Sequence, residues 1–571
     1  MEMLFNPLPF ELKLCILQYL DVPAIENLCS AVPSIAEIVS EKSELIYREM
    51  CICMGYTAEC GSNDCGAKVS HRVSDHNPEH PSLEQSIAAQ RTATHAYNDV
   101  DSWEKFAKAK HKIEENWETH PTNILIDSYC IPRTFVWRFK VDTDKHMLVR
   151  SNAHGEVIVE DLDKKIDDSS SVFKRITCVI RSFDNTFPHI EYSEGYLILT
   201  GHDGLFFCYR RADIPDPAPE IYGNPENHER PELINLPSDY PATGPDRSET
   251  KFDFHAIFNV GNLGGGKCLK ARYPNLIVAS AENETITIFD LPQKKIQDRF
   301  KYLTEDNLHQ FDFRYIDFDS KYIFLAGEDE IKIFDRSKKS QISAIPPKFA
   351  STSEEEDERE SPNWTAIHQD CQGGQLVAIG EDGFLLWIGN YEEYIHSKDP
   401  WNRCAIVKTN MKFDNICVDE RRAVFSGLWN KGIHESMVIS TLFSLQLHPW
   451  TTLDQFVHPK LQIINSFHYS TYAISRLEMD TCAVYATGLD HMLRDEECYV
   501  DIKNFAKTLT PSYYSTLLEW SWQDLMNISS NLCPFFVPPK ENEIFEFKHS
   551  VKFKAPRMHP DSVIRYYLGP Q

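Results

Sequence analysis

From Pro9 to about residue 40 the apolar positions recur three and four apart, and Leu12, Ile16, Tyr19 and Leu20 share one face with Leu17 beside it. That spacing predicts an amphipathic helix. Pro9 stands where a first helical turn needs no amide donor. Asp21 and Pro23 then stop that helix and open a second, and Pro33 with Ser34 opens a third. Three short helices bury little by themselves, so the pattern predicts an apolar face kept for something else. Residues 56–98 lose the period, are rich in Gly, Ser, Asn and His, and predict irregular chain. Trp103, Phe106, Lys110, Ile113 and Trp117 restore it, predicting an amphipathic helix over 101–119 that ends before Pro121.

Beyond residue 130 the period changes to that of strands. The segments YLILTGHDGLFFCYRR, NLIVASAENETITIFDL, YIFLAGEDEIKIFDR and QLVAIGEDGFLLWIGN each hold a buried run, a tight turn of Asp, Glu, Asn or Gly, and a second run. They read as hairpins of one repeated unit. Each follows another short apolar strand, whose corresponding position is Asp142, Ser193, Arg272, Asp319, Asp370, Asp419 and Asp480 in turn. These positions lie 47 to 79 residues apart, and the longest interval contains a Pro-rich polar insertion over 212–250. Four-stranded units at this spacing predict a β-propeller, with seven degenerate blades preferred and eight as the alternative. Residues 123–129 are expected to pair with a C-terminal strand around EIFEFKHSVKFKA, which removes the free sheet edges. The acidic stretch 351–362 reads as a solvated loop between blades.

The fold class is therefore α+β and multidomain, and the N-terminal pattern has a counterpart. LPFELKLCILQYLDVPAIENL resembles an F-box, matching its pattern at Leu8, Pro9, Glu11, Leu12, Ile16, Leu17, Leu20 and Leu28. The later half departs from it, with Val32, Pro33, Ser34 and Ile35 where the family has a basic residue and a Trp. Asn116 and Trp117 resemble the end of the linker helix in F-box/WD-repeat proteins, with His120 in place of Gly. Asp290 and Asp335 follow Phe where a standard WD repeat has Trp-Asp. The resemblance implies an F-box over 1–50, a linker over 51–120 and a propeller over 121–571. It further implies that Leu8, Pro9, Leu12, Ile16, Leu17, Leu20 and Leu28 dock on the Skp adaptor of a cullin-RING (SCF-type) ubiquitin ligase while the propeller binds a protein target. The chain would be a non-catalytic receptor subunit; the alternative is an adaptor-bound scaffold that sequesters or regulates a partner without ubiquitin transfer.

Charge and candidate chemistry narrow this reading. Lys plus Arg number 58 against 85 Asp plus Glu, a net charge of −27 that repels phosphate backbones and argues against nucleic acid as a partner. MEMLFNPLPFE lacks the basic and apolar regions of a signal peptide, so the sixteen cysteines read as reduced thiols in cytoplasm or nucleus. No apolar run is long enough for membrane insertion. GNLGGGKC carries the spacing of a phosphate loop, but Cys268 replaces its hydroxyl and Pro274 precludes the following helix. Cys51, Cys53, Cys60, Cys65 and His71 are spaced more loosely than zinc ligands, so no metal and no cofactor is expected. No supported nucleophile stands out. Arg138, Lys267 and Arg314 fall at or beside one repeat position and are the candidates for holding a phosphorylated or acidic target. The competing expectation is that they pair with the acidic turns beside them.

Overall fold

The computed structural model describes residues 7–57, 81–119 and 125–567 with internal gaps, of which the longest are 165–174, 218–251, 303–312, 346–361, 448–460 and 489–561. The chain divides into two compact units: Met1–Leu125 with Asp480–Ala483 and Tyr566–Gln571, and Ile126–Met479 with Val484–Arg565.

The first unit is helical. Helices α1 (Phe10–Gln18), α2 (Val22–Ala31) and α3 (Pro33–Cys53) follow one another closely, and α4 (Leu83–Ala88) precedes α5 (Trp103–Thr119). The breaks come from the residues expected to make them. The Asp21 carboxylate accepts the Ala24 amide at 2.8 Å, capping α2, and prolines occupy the first turns of α2 and α3. Ser102 starts α5, its side chain accepting the Lys105 amide at 3.3 Å. Leu17, Ile25, Leu28, Ile35, Ile46 and Met50 fill the core. The stripe of α5 does not stand apart as a strut. Trp103, Phe106, Ile113 and Trp117 are buried, and α5 packs on α3 and α2. Ser43 donates to Glu104 at 2.9 Å, and Lys108 pairs with Glu26 at 3.0 Å.

Among the described residues the second unit is built of four-stranded sheets, seven of them, with antiparallel pairing throughout the six that are continuous in sequence. Six of them, rather than seven, are single stretches of chain: Val136–Arg181, Ile190–Asn259, Lys267–Lys301, Phe313–Ile345, Trp364–Lys408 and Lys412–His468. The seventh is composite, joining β26 (Ile474–Met479) and β27 (Ala483–Gly488) to β28 (Ser562–Tyr567) and β1 (Leu125–Cys130). The closing partner of residues 125–130 is therefore β28. The segment EIFEFKHSVKFKA lies outside the described residues. The first strands of the sheets are β2 (Val136–Asp142), β6 (Ile190–Ser193), β10 (Lys267–Arg272), β14 (Phe313–Phe318), β18 (Trp364–Gln369), β22 (Lys412–Val418) and β26. Each lies beside the next, and β26 returns to β2, so they form the inner ring of a β-propeller.

Between sheets the core is aromatic and aliphatic. Cys268, Ile277, Ile286 and Ile288 of the third sheet pack against Ile316, Phe318, Ile323 and Phe334 of the fourth. The predicted hairpins all form, for example Asn275↔Asp290 through Ser280↔Thr285. A strand starts directly at Lys267 where a phosphate loop requires a helix. Of the insertion 212–250, residues 212–217 are described: Ile214 packs on the core and Asp216 pairs with Lys294 at 2.8 Å. The remainder, most of the loop 351–362, and Cys60, Cys65 and His71 lie outside the described residues. No helix among the described residues is long and apolar enough to cross a membrane.

Candidate functional site

Alternation along a strand sends every second side chain to one face. On the inner strands that face carries three successive rows. The last row is Asp142, Ser193, Arg272, Asp319, Asp370, Asp419 and Asp480, the positions that count the repeats. Their chemistry is that of turns. Asp319 accepts the Lys321 and Tyr322 amides at 2.6 and 2.5 Å, Asp419 those of Arg421 and Arg422 at 2.8 and 2.7 Å, and Asp480 those of Cys482 and Ala483 at 2.7 and 2.9 Å. Asp142 does the same for Asp144 and Lys145, and its other oxygen accepts from Tyr192 and Arg211 of the next sheet.

Two and four residues earlier, side chains from different sheets meet at the axis. The Lys140 ammonium lies 2.5 Å from Glu478 of the seventh sheet and 3.8 Å from Glu191 of the second. Arg272 pairs with Asp317 at 2.9 Å, and the Tyr315 hydroxyl sits 3.1 Å from His368 Nε2. His189 Nε2 is 3.3 Å from Glu191. The enclosure is partial: Lys140 keeps 17% of its side-chain exposure and Glu478 27%, against 6% for Glu191.

Charge states follow from this packing. Burial works against the Lys140 ammonium, but Glu191 and Glu478 outweigh it and raise its pKa above the ordinary lysine value. Burial also works against the Glu191 carboxylate, yet Lys140, Lys270 and His189 hold its pKa well below the usual carboxylate range. Burial and Arg138 push His189 down to about 3, and burial with Lys270 and Arg272 pushes His368 well below the usual histidine value. Both imidazoles are neutral at physiological pH. The axis is thus a network of fixed charges from several sheets, suited to recognising a polar group.

Among the residues expected to meet a target, Arg138 lies on this face. Its Nε is buried without a hydrogen-bond partner, and burial lowers its pKa. Arg314 lies elsewhere. The register skips from Phe313↔Gly327 to Tyr315↔Ala326, leaving Arg314 as the extra residue of a β-bulge. Its guanidinium sits 3.7 Å from Glu328 and 3.5 Å from Glu381. Trp137, Thr365, Asp414 and Ser475, at the same repeat position, are also skipped by bulges. Lys267 instead pairs regularly with Ser280, and its side chain lies outside the described set. The shared repeat position therefore does not bring Arg138 and Arg314 together. Lys140, Glu191, Lys270, Tyr315, His368 and Glu478 were missed because the repeat was aligned at the turn and read five residues upstream, across the bulge. Alternation counted back from the turn by twos finds them.

In the helical unit, Leu12 and Ile16 are 50% and 36% exposed, Tyr19 on the same face 67%, and Phe10, at the start of the helix on the side of Leu17, 42%. Pro9 is exposed, and Leu8 and Leu20 are half-buried. Leu17 and Leu28, expected to face an adaptor, are core residues at 0% and 7% exposure. The helices must bury one apolar stripe to hold together, and these two belong to it. Cys51 is buried and Cys53 exposed, and no group of metal-ligating side chains forms among the described residues.

No protein-family model matches the chain. No curated protein matches its sequence significantly. Among solved structures, the chain is similar to the β-propeller domain of Cps50 (Swd1) from Myceliophteria thermophila, at 11% identity over 65% of this chain and 97% of that one with a TM-score of 0.39. It is also similar to the WD40 repeats of RRP9, at 12% identity over 65% and 94% with a TM-score of 0.41. At this identity a likeness bears on fold alone, and the propeller assignment rests on the ring of four-stranded sheets itself.

Proposed function

We propose that this chain is the substrate-receptor subunit of an SCF-type ubiquitin ligase, with the N-terminal helices holding a Skp-type adaptor and the propeller engaging a protein target. The observation that carries the reading is the exposed face of Leu12, Ile16 and Tyr19 on a helix whose opposite side supplies Leu17 to the core. A contiguous apolar patch bordered by polar residues is the usual mark of a protein contact. The F-box resemblance includes Leu12 and Ile16 of this face and names the partner. Propellers host many activities, so the target-binding half rests on the axial charge network rather than on the fold. Arg138, Lys267 and Arg314 are the proposed target contacts, with Arg138 the one that faces the axis. The reaction itself belongs to the RING and conjugating partners.

The test is copurification of the full chain with a Skp adaptor. Wild type is expected to retain it, and Leu12→Asp with Ile16→Asp to lose it while far-UV circular dichroism stays unchanged. Undiminished binding by the double variant would remove the adaptor from the proposal.

A further inference from the structure

Charged side chains of four sheets meet along the inner rows of the propeller, and two of them have no partner among the described residues. Lys140 is taken by Glu191 and Glu478. Arg138 and Lys270 make no hydrogen bond or ion pair among the described residues, although Lys270 is only 9% exposed and Arg138 Nε is buried. Both feel the same neighbours, Glu191 and Tyr315. An unpaired cation in such a place is costly to keep unless something occupies it.

We propose that the propeller axis holds a subsite for one carboxylate group, gripped by the Arg138 guanidinium and the Lys270 ammonium with the Tyr315 hydroxyl beside them. The class of ligand follows from the fixed carboxylates around the site. Glu191 and Glu478 already face it, and Asp317 acts on Lys270 as well, so a singly charged group meets less repulsion there than a dianion. A phosphate dianion would face the same carboxylates with twice the charge. The neutral histidines add no charge: His189 lies at about 3 and His368 well below the usual value. A planar carboxylate also suits the fork of a guanidinium. Burial works against the Lys270 ammonium, but Tyr315 and Glu191 keep its pKa raised, so it stays charged for the ligand. The proposal deepens the target-binding half of the reading above and rests on it only for the source of the carboxylate. Its probe is a free salt, so a failed adaptor copurification leaves it untouched.

The experiment is ligand-observed NMR on the full chain with sodium acetate, at ionic strength held constant with sodium chloride. Saturable transfer to the acetate methyl is expected for wild type. Lys270→Met and Arg138→Met should each weaken it on the order of tenfold, as loss of a charge-assisted donor does. Lys270→Arg should retain it. Should Arg138→Met fail to fold, Lys270→Met decides alone, since it replaces an unpartnered ammonium by an apolar chain of similar length. No saturable signal in wild type, or a signal that both substitutions leave unchanged, would overturn the subsite. Inorganic phosphate binding more tightly than acetate in a parallel titration would overturn its assignment to carboxylate. A short peptide with one Glu that competes about tenfold better than acetate assigns the carboxylate to a protein target, and equal competition assigns it to a free acid.

Discussion

Replacing Lys140 by Met tests whether one ammonium holds three sheets of the ring together. The substitution keeps the length of the side chain and removes the charge that lies 2.5 Å from Glu478 and 3.8 Å from Glu191. Removing one member of a buried ion pair costs about 3–5 kcal/mol, because the charge left behind is uncompensated. Glu478 retains 27% of its exposure and is partly rehydrated, so the lower end, about 3 kcal/mol, applies here. For a ring of the length of Ile126–Met479, an unfolding entropy of about 2 cal/mol/K per residue converts this to a fall in Tm of about 4 °C. The loss must also depend on pH. In the wild type the Glu191 pKa is depressed, so its contribution is present above the unfolded carboxyl value near 4.3 and is lost as pH falls through the folded value. In the variant, burial acts on Glu191 with less opposition, its pKa rises, and protonation relieves the unpaired charge at mildly acid pH. Scanning fluorimetry of both proteins at pH 7.5 and 5.0 should show the larger gap at pH 7.5. A gap of the same size at both values would show that the substitution acts through packing and refute the electrostatic account.

Three further outcomes follow from the same geometry. Asp319→Ala removes the acceptor for the Lys321 and Tyr322 amides and for the Tyr391 hydroxyl, and should cost about 2–3 kcal/mol in a denaturant titration, with Asp319→Asn losing less. Arg314→Glu sets three acids together at a partly exposed position, and should lower stability by about 1 kcal/mol or less. An unchanged target affinity in that variant would remove Arg314 from the contact surface. Leu17→Asp places a charge in a side chain with 0% exposure and should collapse the helical signal, whereas Leu12→Asp, at 50% exposure, should leave it intact. Equal damage from the two would contradict the assigned faces of α1.

The repeating architecture is legible because a propeller writes its period into turns. Asp142, Asp319, Asp419 and Asp480 each accept two amides of their own turn, so a local hydrogen-bonding need recurs in four of the sheets and survives the loss of other landmarks. The break between the first two helices was legible for the same reason, Asp21 being a cap that acts within three residues. What escaped is what depends on distant chain. The packing of α5 on α3 joins residues some sixty positions apart, as with Ser43 and Glu104, and helical periodicity cannot say which surface a stripe will meet. The closing strand β28 pairs with β1 across nearly the whole sequence. The site was half legible. Arg138 was found, but Arg314 was grouped with it because a bulge inserts one residue without any mark in composition.

The sorting of charge by row explains how an acidic chain keeps a cationic axis. The net charge of −27 suggests a surface that turns anions away. Along the inner strands, however, charge is sorted by row. The row at the turns is dominated by aspartates whose carboxylates are committed to backbone amides and to groups such as Tyr391, so much of the chain's negative charge there is spent on local structure. The bulge lies upstream of both earlier rows, and counting back from the turn by twos reaches Lys140 and then Arg138 without crossing it. In those two rows Arg138, Lys140, Lys270 and Arg476 stand against Glu191, Asp317 and Glu478, and Asp317 is matched by Arg272 of the row below. The sum there is positive. An anion driven off by the exterior at long range would therefore meet the opposite sign once inside about a Debye length of the axis, roughly 8 Å at physiological salt. Selection for a small negative group at the proposed subsite would then arise from two fields acting in series: the outer one disfavours polyanions, and the inner one attracts what reaches Arg138 and Lys270.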